Sequence, residues 1–462
     1  MIEVVTIETP ELGDRSYIVH DGSEALVVDP QRDIDRCTEA AERLGVKITA
    51  VAESHIHNDY VSGGLALATM VGARYVVAAA DEVGFERVGV QDHDILTVAS
   101  FTVEVLSTPG HTPNHCSYLI REGDHPVALC TGGSLLYGTV GRTDLIGADV
   151  TEELTRAQYR SAQRLAQLPG DVGVYPTHGF GSFCSSTSTS GSTTSTIGQE
   201  RQMNLALTID DEDTFVKTLL AGLTAYPRYY VHMGAENRRG AAPVDLSPPE
   251  PVDTDELRRR IEAGEWVVDL RARRAFARGH ISGTIGIELG DLFSTYLGWL
   301  IPWGTPVTLL GETPDAVAKA QRDLVRIGID RPAGSAVGAI DKLAGGSPLR
   351  SYPCIDFETL VRERSTHPDL LIVDVRRDDE RLDAHLPSSI HIPLQDLEER
   401  MDEIPPDRGT LFVHCAAGFR ASLAASLLDR AGYEVVLVDD DFAVALTAGP
   451  ELRRGRVANR EQ

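Results

Sequence analysis

The chain has 462 residues and carries 69 acidic against 43 basic side chains, a formal net charge of −26. That length exceeds one hydrophobic core and implies roughly two to four domains. The acidic balance argues against a nucleic-acid surface, which needs clustered Lys and Arg, and no apolar run is long enough to span a bilayer. The start, Met1-Ile2-Glu3-Val4-Val5, lacks the basic and apolar regions of a signal peptide. The six cysteines, Cys37, Cys116, Cys130, Cys184, Cys354 and Cys415, form no C-x-x-C pair. A reducing, cytoplasmic setting is therefore the expectation.

In chain order, residues 16–19 and 25–28 read as paired strands and residues 37–44 as a helix. A buried strand, residues 48–52, leads into Ser54-His55-Ile56-His57-Asn58-Asp59-Tyr60. Two imidazoles and a carboxylate on alternate positions at a strand end face one way, which suits ligands for one metal. Further strands end in Pro109-Gly110-His111-Thr112-Pro113-Asn114-His115, in Thr131-Gly132-Gly133 and in Pro176-Thr177-His178-Gly179. Each His-bearing loop follows a strand, so the side chains can converge on one edge of a sheet sandwich. Residues 185–196, almost all Ser, Thr and Gly, read as a flexible loop. Residues 214–225 read as a helix, and the Pro-rich residues 241–251 as a linker.

An internal repeat follows. Val267-Val268-Asp269-Leu270-Arg271 matches Ile372-Val373-Asp374-Val375-Arg376, and His280 matches His385. Each copy alternates strand and helix, the pattern of a parallel sheet flanked by helices. In the second copy a strand, residues 410–414, is followed by Cys415-Ala416-Ala417-Gly418-Phe419-Arg420 and then by a helix. A cysteine at a helix N-terminus meets unpaired N–H groups and the positive end of the dipole. That setting favours the thiolate and can cradle an anionic sulfur species. In the first copy the position falls at or beside Gly311, where no nucleophile is available.

These residues resemble known families. The Cys415–Arg420 loop, with the Asp-x-Arg strand end, resembles a rhodanese active-site loop, and the first copy is similar to a silent rhodanese-like domain. The front half, with its His-x-His-x-Asp loop, Pro-Gly-His-Thr-Pro and Pro-Thr-His-Gly, resembles the metallo-β-lactamase fold. Gly141-Arg142-Thr143-Asp144 and Gly181-Ser182-Phe183-Cys184-Ser185 point within it to the persulfide dioxygenases. The resemblance implies an α/β multidomain chain. Its parts are an N-terminal αββα metallo-β-lactamase sandwich over residues 1–245 and two tandem rhodanese-like α/β domains with parallel sheets, 252–348 and 353–455.

It also implies an enzyme that oxidises glutathione persulfide, or another low-molecular-weight persulfide, with O2 to sulfite at one Fe(II) per chain. Sulfur transfer would run through a Cys415 persulfide, with sulfite or thiosulfate as partner. Cys415 is then catalytic, Ala416, Ala417, Gly418, Phe419 and Arg420 form the anion-binding loop, and Arg142 contacts substrate. The expected metal ligands are His55, His57 and His111, with Asp59 and His178 as further candidates. The chain departs from the family at Gly133, where the turn should carry a ligating Asp, and at Tyr60, where relatives have a metal-binding His.

Three readings of the front site therefore stand open: a three-His iron site, a site completed by another carboxylate such as Asp59, or a metal-free docking scaffold that leaves a sulfurtransferase. Zinc is the alternative metal, and a glutathione thioester hydrolase the alternative activity. No membrane or nucleic-acid partner is expected, and a homo-oligomer is left open.

Overall fold

The computed structural model describes residues 1–186, 191–405 and 409–448. It divides into two compact units. One comprises Met1–Asp245, Ser294–Gly298 and Arg322–Asp330; the other comprises Leu246–Phe293, Trp299–Gln321 and the chain from Arg331 onward.

The first unit is built from two six-stranded sheets. One runs in the order Glu3–Thr9, Asp14–His20, Glu24–Val28, Lys47–Ala52, Arg74–Ala78, Val88–Val90. The other runs Ser195–Thr196, Gly173–Pro176, His125–Gly132, Cys116–Glu122, Phe101–Ser107, Ile95–Val98. The period-2 alternation of strands assigns the faces. Tyr17, Val19, Leu26 and Val28 face Val103, Val105, Tyr118 and Ile120 in the central core. Ile18, Val27 and Val51 turn outward to pack with Cys37, Ala40 and Leu67 on the helices Asp35–Leu44 and Gly64–Val71. On the far side Leu119, Leu129 and Val174 pack with Tyr159, Ala162, Leu165, Phe215 and Leu219 of the helices Thr151–Leu165 and Glu212–Gly222. The result is a helix–sheet–sheet–helix sandwich with apolar cores between its layers, and strand ends are where its polar loops gather.

Part of the expected Ser/Thr/Gly loop has structure: Ser195–Thr196 pairs antiparallel with Gly173 and Val174. Residues 187–190 of that loop lie outside the described residues. The expected helix over 214–225 starts earlier and stops earlier, at Glu212–Gly222, because Asp211 caps its first turn through the Thr214 N–H.

The second unit holds two parallel sheets of related topology. In one the order is Ile285–Gly286, Trp266–Asp269, Val307–Gly311, Gly334–Val337. In the other, Ile390–His391, Leu371–Asp374, Leu411–His414 and Val435–Val438 repeat that order, and Cys354–Ile355 adds an edge strand. The repeat extends to side chains. Arg271 binds Asp269 two residues back as Arg376 binds Asp374, each through its guanidinium. His280 and His385 each place Nδ1 against the carbonyl four residues earlier. Because Asp269 pairs with Leu310 and Asp374 with His414, Gly311 occupies the position that Cys415 occupies in the second sheet. Of the expected 353–455 domain, residues 406–408 and 449–455 lie outside the described residues.

Candidate functional site

Three loops at strand ends of the first unit converge, and Asp29 ties them together. It sits at φ 53 directly after Glu24–Val28. Its carboxylate accepts from the Ser54 N–H at 2.6 Å, the Ser54 hydroxyl at 2.7 Å and the Thr177 hydroxyl. Burial alone would raise its pKa, yet His57 and these donors hold it at about 2. A left-handed backbone is costly for a non-glycine residue. Here the conformation aims one carboxylate at the loops that carry His55 and His178.

The imidazoles are packed ring to ring. Ring centroids lie 4.1 Å apart for His55 and His57, 4.8 Å for His55 and His111, and 5.2 Å for His111 and His178. All four are buried. His55 Nε2 faces His178 Nε2 at 3.3 Å. His111 Nδ1 donates to the Arg142 carbonyl at 2.7 Å, which leaves Nε2 as the lone-pair nitrogen. His111 Nε2 and His57 Nδ1 are buried with no hydrogen-bond partner.

Charge is unevenly placed. Burial pushes His55 well below the usual value, and burial with nearby His178 takes His111 to about 3. Burial opposes protonation of His178 too, but Asp59 and Asp14 hold it well above the usual range. Its Nδ1 lies 2.9 Å from Asp14 Oδ1 and 3.1 Å from Asp59 Oδ2. Burial and the Asp59 charge raise Asp14 to about 8. His57 turns its Nε2 to Asp29 and Glu53, each at 3.2 Å, and to the Tyr60 hydroxyl at 2.9 Å. Those carboxylates outweigh burial and raise it to about 9.

His55, His57 and His178 each offer a ligand atom within 4.8 Å of the others, and so do His111, His178 and Cys184, and Asp14, Asp59 and His178. Among the described residues the expected trio His55, His57 and His111 is not one of these groups. His178, expected only as a further candidate, belongs to three of them. Cys184, to which the sequence assigns no role, and Asp14, which begins a distant strand, are both at the site. So is Glu53, which the alternation could have revealed: it stands two residues before His55, on the same side of the strand end.

Unsatisfied buried nitrogens aimed into one cluster are expensive unless something fills their lone pairs. The donor set of imidazoles with a carboxylate fits a divalent transition metal. Asp14 and Asp59 on His178 Nδ1 are the outer partners that orient such a ligand.

The two family departures have structural counterparts. A Cβ at Gly133 would collide with the His111 ring, so that ring fills the space next to the turn. The Gly133 N–H donates to His115 Nε2 at 3.0 Å, and His115 Nδ1 is bonded to the Thr108 hydroxyl at 2.9 Å. Both His115 nitrogens are thereby used in positioning the turn. Tyr60 is fully buried and stacks on His57.

Arg142 is the residue expected to contact substrate. It is 2% exposed, and its guanidinium is taken up by Asp144 and by the Phe183 and Thr224 carbonyls. Its contribution to the cluster is its backbone carbonyl, which fixes the His111 tautomer.

In the second unit, Cys415 follows Leu411–His414 and precedes the helix Phe419–Arg430. It is 2% exposed, and Gly418 reaches φ 84 to turn the loop into the helix. Gly418 stands at the N-cap and has no side chain with which to cap the helix. Arg420, expected in the anion-binding loop, forms a fork with Glu380 at 2.6 and 2.7 Å. Ala416 and Ala417 line the loop, and the Ala416 carbonyl accepts from the Phe442 N–H at 2.8 Å.

An imidazole-rich cluster at the strand ends of a four-layer sandwich, and a cysteine between strand and helix of a parallel sheet, are the two candidate sites of the chain. Comparison with known proteins gives each part relatives. Residues 358–444 match the rhodanese-like domain family. The chain is 29% identical to human mitochondrial persulfide dioxygenase ETHE1 over 211 residues, 45% of this chain and 74% of that protein. It is 33% identical to a hydroxyacylglutathione hydrolase of Polaromonas sp. over 162 residues, 34% of this chain and 58% of that protein. A crystal structure of a metallo-β-lactamase from Staphylococcus aureus superposes with a TM-score of 0.66 at 29% identity, covering 73% of this chain and 99% of that one. The chain is thus an enzyme that joins a metallo-β-lactamase-fold part, related to the persulfide dioxygenases, to a C-terminal rhodanese-like domain, and it fits the fusions of those two families.

Proposed function

We propose that this enzyme of sulfur metabolism oxidises a low-molecular-weight persulfide such as glutathione persulfide and passes sulfane sulfur through Cys415. The single observation that carries the front half is the meeting of His55 Nε2 and His178 Nε2 at 3.3 Å beside the unpartnered His57 Nδ1 and His111 Nε2. We assign the metal to the cluster of His55, His57, His111 and His178, with Asp14 and Asp59 behind His178 as its outer partners. Iron bound there would supply the one-electron chemistry that lets O2 react with a persulfide. The balanced reaction is RSSH + O2 + H2O → RSH + SO3²⁻ + 2H⁺.

The chain's own residues prepare the site. Asp14 and Asp59 hold the proton of His178 on Nδ1, and the Arg142 carbonyl holds that of His111 on Nδ1. His111 therefore presents Nε2 as a lone pair, and His178, which its two acids keep protonated in the metal-free chain, would present one where a metal takes the place of its Nε2 proton. Tyr60 and the buried core beneath it keep water from the back of the cluster.

At the other site the Cys415 thiolate attacks the sulfane sulfur of RSSH, releasing RS⁻ and leaving a cysteine persulfide. Sulfite then attacks the outer sulfur, giving thiosulfate and regenerating the thiolate. First-turn N–H groups of Phe419–Arg430 stabilise the anions involved. Product of the first reaction is thus a substrate of the second. We read residues 1–245 as the oxygenase domain, 252–348 as a rhodanese-like domain without a nucleophile and 353–455 as the active rhodanese.

The hydrolase relatives suggest zinc-dependent thioester cleavage instead. Tyr60 in place of a metal-binding His and the filled space at Gly133 speak against a second metal. The test is O2 uptake and sulfite release with glutathione persulfide by iron-loaded protein, set against thioester hydrolysis by zinc-loaded protein. Turnover only in the second assay would replace this reading.

A further inference from the structure

In the second unit, both ends of the Cys415 helix are gripped by the sheet that lacks a nucleophile. At the far end, Asp429 accepts from Arg350 at 2.8 Å and meets His280 Nε2 at 3.0 Å. In mid-helix, the Ser426 hydroxyl accepts from the Gly286 N–H at 3.1 Å. At the loop end the grip passes through Asp439, which follows Val435–Val438. Arg273 donates from Nε to Asp439 Oδ1 at 2.7 Å, and Arg274 pairs with Oδ2. Asp439 in turn lies so close to Gly418 that any Cβ there would strike its carboxylate, and Gly418 holds a positive φ of 84. Asp439 is 6% exposed, and although burial disfavours its charge, the two arginines keep its pKa below the usual carboxylate range.

We propose that Arg273 and Arg274 are positioning residues for Cys415: they hold and neutralise Asp439, so that its carboxylate props the Gly418 turn without imposing a negative charge on the thiolate loop. The repeat that has Gly311 in place of a nucleophile thereby completes the active loop of the other repeat within the same unit. An unneutralised carboxylate against a helix N-terminus would oppose both the thiolate and any anionic sulfur donor. The two arginines counter that opposition, Arg273 while also holding Glu288 at 2.6 Å, and with one carboxylate oxygen taken by each arginine they fix where the acid sits.

Other charged groups surround the loop. His414 lies on its strand, Asp374 and Arg376 on the neighbouring strand end, and Glu380 and Arg381 on Asp378–Asp383. Arg420 is on the helix itself, and Asp440 and Asp441 follow Asp439. Asp374 is matched by Arg376, Glu380 by Arg420, and Asp440 accepts from the Phe357 N–H, whereas the partners of Asp439 come from outside the Cys415 domain.

The proposal rests on Cys415 as sulfur carrier, and its test separates the two ideas. The full chain is alkylated with iodoacetamide across pH, Cys415 modification is followed by peptide mass spectrometry, and sulfur transfer from thiosulfate to cyanide is measured beside it. Arg273→Ala/Arg274→Ala should shift the Cys415 alkylation midpoint upward and slow transfer about tenfold, the effect of roughly one pKa unit. Adding Asp439→Asn to that variant should bring the midpoint back, a rescue that a purely structural role would not produce. Arg273→Lys/Arg274→Lys, which keeps the charge, should leave the midpoint near the parent value. Should the double alanine variant not fold, Arg274→Ala alone reports the same direction at smaller size. An unchanged midpoint and rate in the alanine variants, or no rescue by Asp439→Asn, would overturn the proposal. If the parent protein transfers no sulfur, the carrier reading fails while the alkylation midpoint still decides the clamp.

Discussion

His178 joins two separate networks through its two ring nitrogens: Nε2 lies 3.3 Å from His55 Nε2, while Nδ1 lies 2.9 Å from Asp14. One side of the ring belongs to the imidazole cluster and the other to a buried acid. This places His178 at the centre of the candidate metal site. His178→Ala should therefore lower iron content as severely as His55→Ala does, measured by metal analysis of protein purified without chelator. Full iron retention in His178→Ala would remove it from the ligand set. Asp14→Asn, which weakens only the outer partner, should cost about 10–100-fold in metal affinity.

Gly133 marks where the expected carboxylate is missing, and restoring it should not help. A side chain there meets the His111 ring. Gly133→Asp is expected to lose about 1–3 kcal/mol of stability through overpacking and to hold no more iron than the parent. Chemical denaturation and metal analysis check both. A gain of iron at unchanged stability would mean that His111 yields easily and that the site is ready for the usual triad.

His57 makes the metal-free protein pH-sensitive. Burial opposes its charge, but Asp29 and Glu53 raise its pKa from 6.5 to about 9. A group whose pKa rises on folding contributes stability that is complete below its unfolded value and is lost as pH climbs through the folded one. Melting temperature of the metal-free chain should therefore decline between about pH 6.5 and 9. His57→Gln should flatten that decline. An equal slope in both proteins would show that the charge on His57 is not what the buried acids stabilise.

Cys415→Ser should abolish sulfur transfer and leave persulfide-dependent O2 uptake standing, since the two sites belong to different folded units. Coupled assays for thiosulfate and O2 read the two activities on one sample. Transfer retained at more than about a tenth of the parent rate would mean that another thiol carries the sulfur.

Much of this architecture is legible along the chain, because local periodicity encodes it. The His loops follow strands, the two Asp-x-Arg strand ends repeat, and Gly311 does stand where Cys415 stands in the second sheet. What was not legible depends on long-range register. Asp14 reaches His178 from a strand more than 160 residues away in sequence, and no local pattern announces it. Arg273 and Arg274 meet Asp439 from the other repeat, again across more than 160 residues. The pairing of Arg142 with Asp144 is within reach of the sequence, whereas the Phe183 and Thr224 carbonyls that also take its guanidinium arrive from elsewhere. The absence of a ligand at Gly133 was visible in the sequence, but the ring that occupies its space was not.

The most direct test of the central claim is stopped oxygen consumption by the full chain, purified without chelator and loaded anaerobically with iron, on addition of glutathione persulfide. The account predicts one sulfite per O2 consumed, with both signals and bound iron lost in His55→Ala and His111→Ala. Stoichiometric iron without O2 uptake or sulfite would contradict it.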